Sequence, residues 1–365
     1  MKYQLNTRQT AIIAASMFMG LKILSLPSLL YTYSISHSML LFFIMITIDL
    51  LALWLIMFLK EKKNNFNFID FIYKILGKVV GKILLGIILF YFLFKLAYIS
   101  TEAFFYLKNF AQEDATIFSF MLVYLPIIAA MAYNGLQSIA RTSEFFFTPI
   151  VIGVLATILI SFLPQFFSNT TTIKFIFNAD FAPIFKLSFY FGDFLPILFV
   201  LDKIKPSGAL TKKTMFYAMT AANILGIIYF LYYKLYQITT PLHRYAVGDI
   251  ISFTKGLDYT TSVNIISFVT FLCLIFLQGA FYFYICNLIF QRIVENKNKK
   301  ITIPIIYIFI SVTIFLISRY NLSIVSIVQN ILSYWGILIL GIIPIVLVFE
   351  ILYLEKKYAK YKKYF

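Results

Sequence analysis

Ten long apolar runs constrain this chain more than any other feature. They fall at about 9–33, 37–59, 83–107, 116–134, 143–164, 184–202, 213–234, 262–290, 302–319 and 331–354. A bilayer's hydrocarbon core is about 30 Å thick, and a helix needs roughly 20 apolar residues to cross it. In lipid the backbone must satisfy its own hydrogen bonds, and runs of this length do so as helices. Hydrophobic residues make up 61% of the chain and charged residues 13%, about half the charge of a soluble domain. No hydrophilic stretch reaches the roughly 40 residues that an independent core requires. The expected fold is an all-α membrane protein, one integral domain over residues 1–365 with ten transmembrane helices.

The net charge is +16. In a soluble chain that excess would suggest nucleic acid; here it sits in short loops, so the expected partner is the lipid bilayer and no nucleic acid. One side of the membrane would hold 22 Lys and Arg: Lys2, Arg8, the lysines of 60–82, Arg141, the lysines of 203–213, the basic residues of 292–300 and the tail from 356. The other side would hold seven: Lys108, Lys174, Lys186, Lys234, Arg244, Lys255 and Arg319. The positive-inside rule places the first side, and both termini, in the cytoplasm. The basic start before the first run resembles a signal peptide, but no small-residue cleavage site follows, so it reads as a retained span. Segment 66–82, with Lys74, Lys78 and Lys82 four residues apart, reads either as an amphipathic helix on the cytoplasmic face or as a basic linker. Residues 237–261 form the longest external loop. Cys273 and Cys286 would lie about 20 Å apart along one helix and cannot bridge. His37 and His243 fall in different loops, so no metal site is expected. Neither a nucleophile–base arrangement nor a phosphate-cradling glycine motif is present, which argues against an enzyme and against a cofactor.

Two spans are broken. The first reads GLKILSLPS, with Gly20, Lys22, Ser25 and Pro27 inside an apolar run. The sixth reads SFYFGDFLP, with Gly192, Asp193 and Pro196 in the equivalent place. Gly and Pro weaken a helix, and a break in lipid is tolerated where it lines a cavity. Breaks five spans apart in a chain of ten suggest two inverted repeats, about 9–164 and 184–354, whose first helices meet at the midplane. Lys22, Asp49, Lys95 and Asp193 lie near the centres of their spans. Each buried charge there costs at least about 2.5–3.5 kcal/mol, so the four should face inward and pair. Lys22 can pair with Asp193, or Lys22 with Asp49 and Lys95 with Asp193. Tyr98 and Glu102 share the face of Lys95, and Glu102, nearer the outer surface, would form the polar mouth of a cavity. Amides near Ile23, Leu24 and Ser25 at the start of an outer half-helix would hold a carboxylate. Tyr190, Phe191 and Phe194 would line the apolar part of the pocket, and Gly20 would let a ligand or the sixth span approach.

Four segments, GLKILSLPS at 20–28, NGLQSIARTSEFFFTPIVI at 134–152, SFYFGDFLPILFVLDKIKP at 188–206 and LHRYAVGDIISF at 242–253, resemble the spore germination permease family. Its members are the B subunits of nutrient germinant receptors. The resemblance implies a LeuT-like fold of the amino acid–polyamine–organocation superfamily. It also implies sensing of a small nutrient, commonly an amino acid, in the inner spore membrane, with an A subunit and a lipoprotein C subunit as partners. Carried over by motif are Gly20, Pro27, Gly192 and Asp193, with Arg141 and Glu144 at the cytoplasmic start of the fifth span. Two positions depart from the family, which usually has a small residue at Lys22 and Glu at Asp193. An ammonium in the cavity competes with a substrate amine and leaves room for an anionic germinant. The alternative function is a proton- or cation-coupled amino-acid transporter on the same scaffold.

Overall fold

The computed structural model describes residues 4–33, 38–63, 66–110, 114–162, 187–236, 261–296 and 298–319, together with 245, 248, 249, 330 and 333–336. Among them the chain is helical, apart from one isolated parallel bridge between Leu5 and Ile204. Helix α1 (Thr7–Met19) and helix α2 (Leu26–Tyr33) flank the first break. Seven helices follow that are long and apolar enough to cross a membrane: α3 (Ser38–Lys62), α4 (Phe68–Phe110), α5 (Ile117–Asn134), α6 (Leu136–Phe162), α7 (Leu210–Tyr236), α8 (Thr261–Val294) and α9 (Lys299–Arg319). The expected external loop at 237–261, His37, His243, residues 163–186 and the tenth span at 331–354 lie outside the described residues, apart from 245, 248, 249, 261 and 333–336.

Helix α8 is the hub. It packs against α4, α5 and α6, while α1 packs on α7 and α6, α3 on α7, and α9 on α4 and α5. Of its most apolar stretch 72% is buried, against 28% for α6 and α9, which therefore lie at the periphery. The outer faces carry large exposed apolar side chains such as Leu51 and Trp54 on α3, Leu122 on α5, Phe145 and Leu159 on α6, Phe216 on α7 and Ile308 on α9. In water such a surface would be an aggregation site; on a chain of this composition it is the face that lipid covers. The first residues are tied down in two ways. Asn6 and Gln9 form a reciprocal capping box at the start of α1, satisfying amides that no helical turn can reach. Leu5 also exchanges backbone bonds of 2.8 and 2.9 Å with Lys203 and Lys205, which fastens α1 to the end of the second broken segment.

Two boundaries differ from the sequence expectation. Segment 66–82 is not one surface helix: α4 is interrupted at Gly77 (φ 75°, ψ 174°), so Lys78 and Lys82 belong to the long helix and Lys74 to the short piece before it. The fifth span begins at Leu136 rather than 143, immediately after Gly135 turns the chain (φ 89°). Arg141 and Glu144 therefore sit in the second and third turns of α6, not at its start.

At the turn after α8, Glu295 accepts from both Lys78 and Lys82 at 2.8 Å. These two hydrogen bonds hold its carboxyl down to about 2, from an ordinary 4.5. A carboxylate with a depressed folded pKa contributes its clamp above the unfolded value and loses it as pH falls through the folded one. Hydrogen exchange of the Glu295, Asn296 and Asn298 amides should therefore be protected and pH-insensitive, once corrected for intrinsic rates, above about 4.5. Protection should fall as pH drops towards about 2, and should be lower than in the wild type at neutral pH in Glu295→Gln.

Candidate functional site

Both breaks are built from residues that cannot or need not continue a helix. After Met19 the chain leaves α1 at Gly20 (φ −22°, ψ −96°), makes one tight turn over Leu21–Ile23, and restarts at Leu26. Pro27 falls in the first turn of α2, where a missing N–H costs nothing. The second break runs from a short turn, Ser188–Tyr190, through extended Phe191 and Gly192 into the 3₁₀ segment Leu195–Lys203, with Pro196 near its start. Gly192 has φ 76°, a conformation that a side chain opposes.

The four midspan charges meet at these breaks. The Lys22 ammonium lies 2.8 Å from Asp193 and 3.2 Å from Asp49. The Lys95 ammonium lies 2.7 Å from the other oxygen of Asp193 and donates to the Phe191 carbonyl at 2.8 Å. The amide of Gly192 donates to Asp49 at 2.9 Å, and the Tyr282 hydroxyl donates to Asp193 at 3.2 Å. All four charged side chains have 0% exposure. The result is one neutral chain, Asp49–Lys22–Asp193–Lys95, so both pairings left open by charge counting occur at once. Lys22 also lies 4.9 and 5.0 Å from the ring centres of Phe18 and Phe191, contacts that favour a desolvated cation. Burying an ion costs several kcal/mol, and only dense pairing with further hydrogen bonds offsets it.

A hydroxyl cluster adjoins the charges. Tyr98 and Tyr190 share a 2.6 Å hydrogen bond, and Ser25 lies 3.4 Å from the Tyr190 hydroxyl. From α7, Tyr229 donates to the Lys22 carbonyl inside the break and Tyr233 to the Pro27 carbonyl, in the first turn of α2, at 2.8 Å. Ile23, Leu24 and Phe194 are fully buried apolar residues. The Leu24 amide is bonded to the Leu21 carbonyl at 3.3 Å, which engages one member of the expected amide cluster.

Three expectations change. Glu102 is 1% exposed and is not a solvent-open mouth. A Cβ on Gly20 would lie 1.8 Å from the Gln278 side-chain oxygen, so the close neighbour at that glycine is α8, not the sixth span. Gln278 also donates to the Met17 carbonyl at 3.3 Å. Glu144 accepts from Gln9 at 3.0 Å, and Arg141 is exposed. Gln9 is about 16 Å along α1 from the break, so these two belong to the helix-end packing. Sequence reasoning missed Gln278, Tyr282, Tyr229 and Tyr233. Gln278 and Tyr282 are four residues apart on an apolar helix and hence share a face, which was the available signal.

A family model described as spore germination protein matches residues 4–322, a stretch that includes both breaks and all four charges. No curated protein sequence matches the chain.

Removing one partner of a buried ion pair typically costs ~3–5 kcal/mol. Lys22→Met and Asp193→Leu should each sharply lower the folded yield, because the first leaves Asp49 without a cation and the second leaves Lys95 without a carboxylate. The double variant Lys22→Met/Asp193→Leu should recover nothing over either single variant, since it leaves both Asp49 and Lys95 unpaired. Lys22→Met/Asp49→Leu should recover more, because Lys95 and Asp193 stay paired. Fluorescence-detected size exclusion and thermal midpoints measure the order; equal recovery by both doubles would contradict the four-member chain. At the first break, Gly20→Val should be destabilising through its clash with Gln278. Gln278→Ala should restore much of the lost midpoint in the Gly20→Val background, whereas additive losses would place the clash elsewhere.

Proposed function

Since the chain belongs to the spore germination protein family, we propose that it is the membrane-embedded B subunit of a nutrient germinant receptor. In this reading it has ten crossings in a LeuT-like five-plus-five arrangement of the amino acid–polyamine–organocation superfamily. Two broken segments and seven helices long enough to cross, with the apolar run at 331–354, support that count. The excess of basic residues in alternate loops supports both termini inside, and the proposed setting is the inner spore membrane, with an A subunit and a lipoprotein C subunit as partners. It senses rather than catalyses.

One observation carries the reading: a neutral network of four buried charges joins the two breaks at one depth, beside three hydroxyls. Charges at midmembrane are expensive and are kept where they serve a pathway or a ligand. Lys22 stands between two carboxylates, where a substrate amine or a coupling cation would otherwise sit. That favours a small solute bearing a carboxylate, one able to replace Asp49 at Lys22, whose contact there is the longer of the two. It also favours sensing over cation-coupled transport, because no coupling cation is needed to balance the site.

The test uses the full chain in liposomes with a panel of labelled amino acids and small carboxylates. The expected result is saturable binding of at least one solute, lost at least tenfold in Lys22→Met/Asp49→Leu, without uptake against a gradient. Accumulation driven by a sodium or proton gradient would select the transporter instead. In spores, the same double variant should lose the nutrient response while the protein remains in the membrane fraction.

A further inference from the structure

Away from the breaks, a cavity of about 600 Å³ opens where α8 ends and α9 begins, roofed by the short helical piece before Gly77 and walled by the end of the second broken segment. Its apolar floor includes Phe199 and Leu288, and its walls carry Lys203, Arg292 and Lys299 against Asp202 and Glu295. Cavities of this size accommodate small ligands, with a few convergent polar groups fixing orientation.

Both anions have cations of their own. Glu295 is held between Lys78 and Lys82, and buried Lys60 lies within electrostatic reach of Asp202. Glu295 keeps its place with φ 60°, a backbone conformation rare for a residue with a side chain. Lys203 also has Asp202 within electrostatic reach, whereas Lys299 faces a neutral partner and Arg292 a loosely placed one. Lys203 donates to the Tyr284 hydroxyl, Lys299 donates to the Tyr133 carbonyl at 2.8 Å, and Arg292 is 3.7 Å from Asp70. Of the residues that line the cavity three are cations and two are anions, a net charge of +1, and Lys78 and Lys82 adjoin it at Glu295. The cavity lies at the end of two apolar helices, on the lysine-rich side, so it sits at the depth of lipid headgroups.

We propose that this cavity binds a phosphate ester, and specifically the headgroup of an anionic phospholipid, with Arg292 and Lys299 contacting the phosphate. Arg presents a planar fork that suits phosphate oxygens, and Lys supplies a point charge. Basic pockets between transmembrane helices on the cytoplasmic side are suited to anionic headgroups. The apolar floor accepts the start of the acyl chains. This site is separate from the proposed solute site, and neither depends on the other.

The test is lipid retention by the full chain, purified from vesicles of equal phosphatidylglycerol and phosphatidylcholine and read by native mass spectrometry. The wild type should keep phosphatidylglycerol at least fivefold over phosphatidylcholine. Arg292→Gln/Lys299→Gln should lower that preference at least fivefold, while the exposed control Lys212→Gln/Lys213→Gln should not. Glu295→Gln should raise retention, a gain that misfolding cannot mimic. Inorganic phosphate bound with the same dependence on Arg292 and Lys299, but without lipid retention, would support the phosphate site and assign it to a soluble ester. Equal loss in the control variant, or no change in any variant and no phosphate binding, would overturn the proposal.

Discussion

The Lys22 ammonium is the contact on which the rest of this structure depends. It sits in the first break, touches Asp49 of α3 and Asp193 of the second break, and is shielded from lipid and water alike. Neither broken segment could remain in a membrane alone, since each would leave a buried charge and unsatisfied backbone. Together they satisfy one another. The Gly192 amide bonds Asp49, the Phe191 carbonyl accepts from Lys95, and α7 hydroxyls cap the Lys22 and Pro27 carbonyls. The charge network and the broken backbone are one construction, in which every ion holds a piece of unwound chain.

The long helices read as a frame for it. Helix α8 supplies Tyr282 to Asp193 and Gln278 to the end of α1 while packing on α4, α5 and α6. Helix α4 supplies Lys95 and Tyr98 from one face. Helix α7 holds α1 and α3 and offers its tyrosines to the break. Polar groups that would be costly singly on an apolar helix are each spent on a partner in another element.

Much of this was legible in the sequence because lipid makes exceptions conspicuous. A Gly, Lys and Pro within nine residues of apolar run, echoed by Gly, Asp and Pro, marked both breaks. The requirement that buried charges pair pointed from Lys22 to Asp193. What charge counting lacked was geometry: it offered two pairings as rivals, and a bridging ammonium satisfies both. Gly20 announced a close approach without saying by what, because the absence of a Cβ carries no address. Gln278 and Tyr282 were passed over because an amide or phenol within an apolar helix fits many roles. The break at Gly77 was hidden by lysines recurring every four residues, a rhythm that continues across a kink as readily as through a helix. The start of α6 was placed late because Gln137, Ser138 and Arg141 read as loop; Gly135 turns the chain so tightly that the helix begins at the next residue.

A closed neutral network sets terms for whatever solute the proposed site takes. A neutral, bare apolar molecule has no charge to exchange and would leave the network as it stands. A carboxylate that displaces Asp49 from Lys22 leaves that aspartate on the Gly192 amide alone, and Gly192 lies at the pivot of the second break. An amine that displaces Lys22 from Asp193 instead leaves the ammonium on Asp49 and loosens the first break. In either case the exchange acts on backbone rather than on side chains only, because each ion is bonded to unwound chain or seated in it. A ligand shifts a conformational equilibrium only by its differential affinity for the two states. Here that difference would be the ionic bonds traded at the breaks, which is how occupancy of the proposed site would be felt at the ends of α1 and of the segment Leu195–Lys203, joined by Leu5.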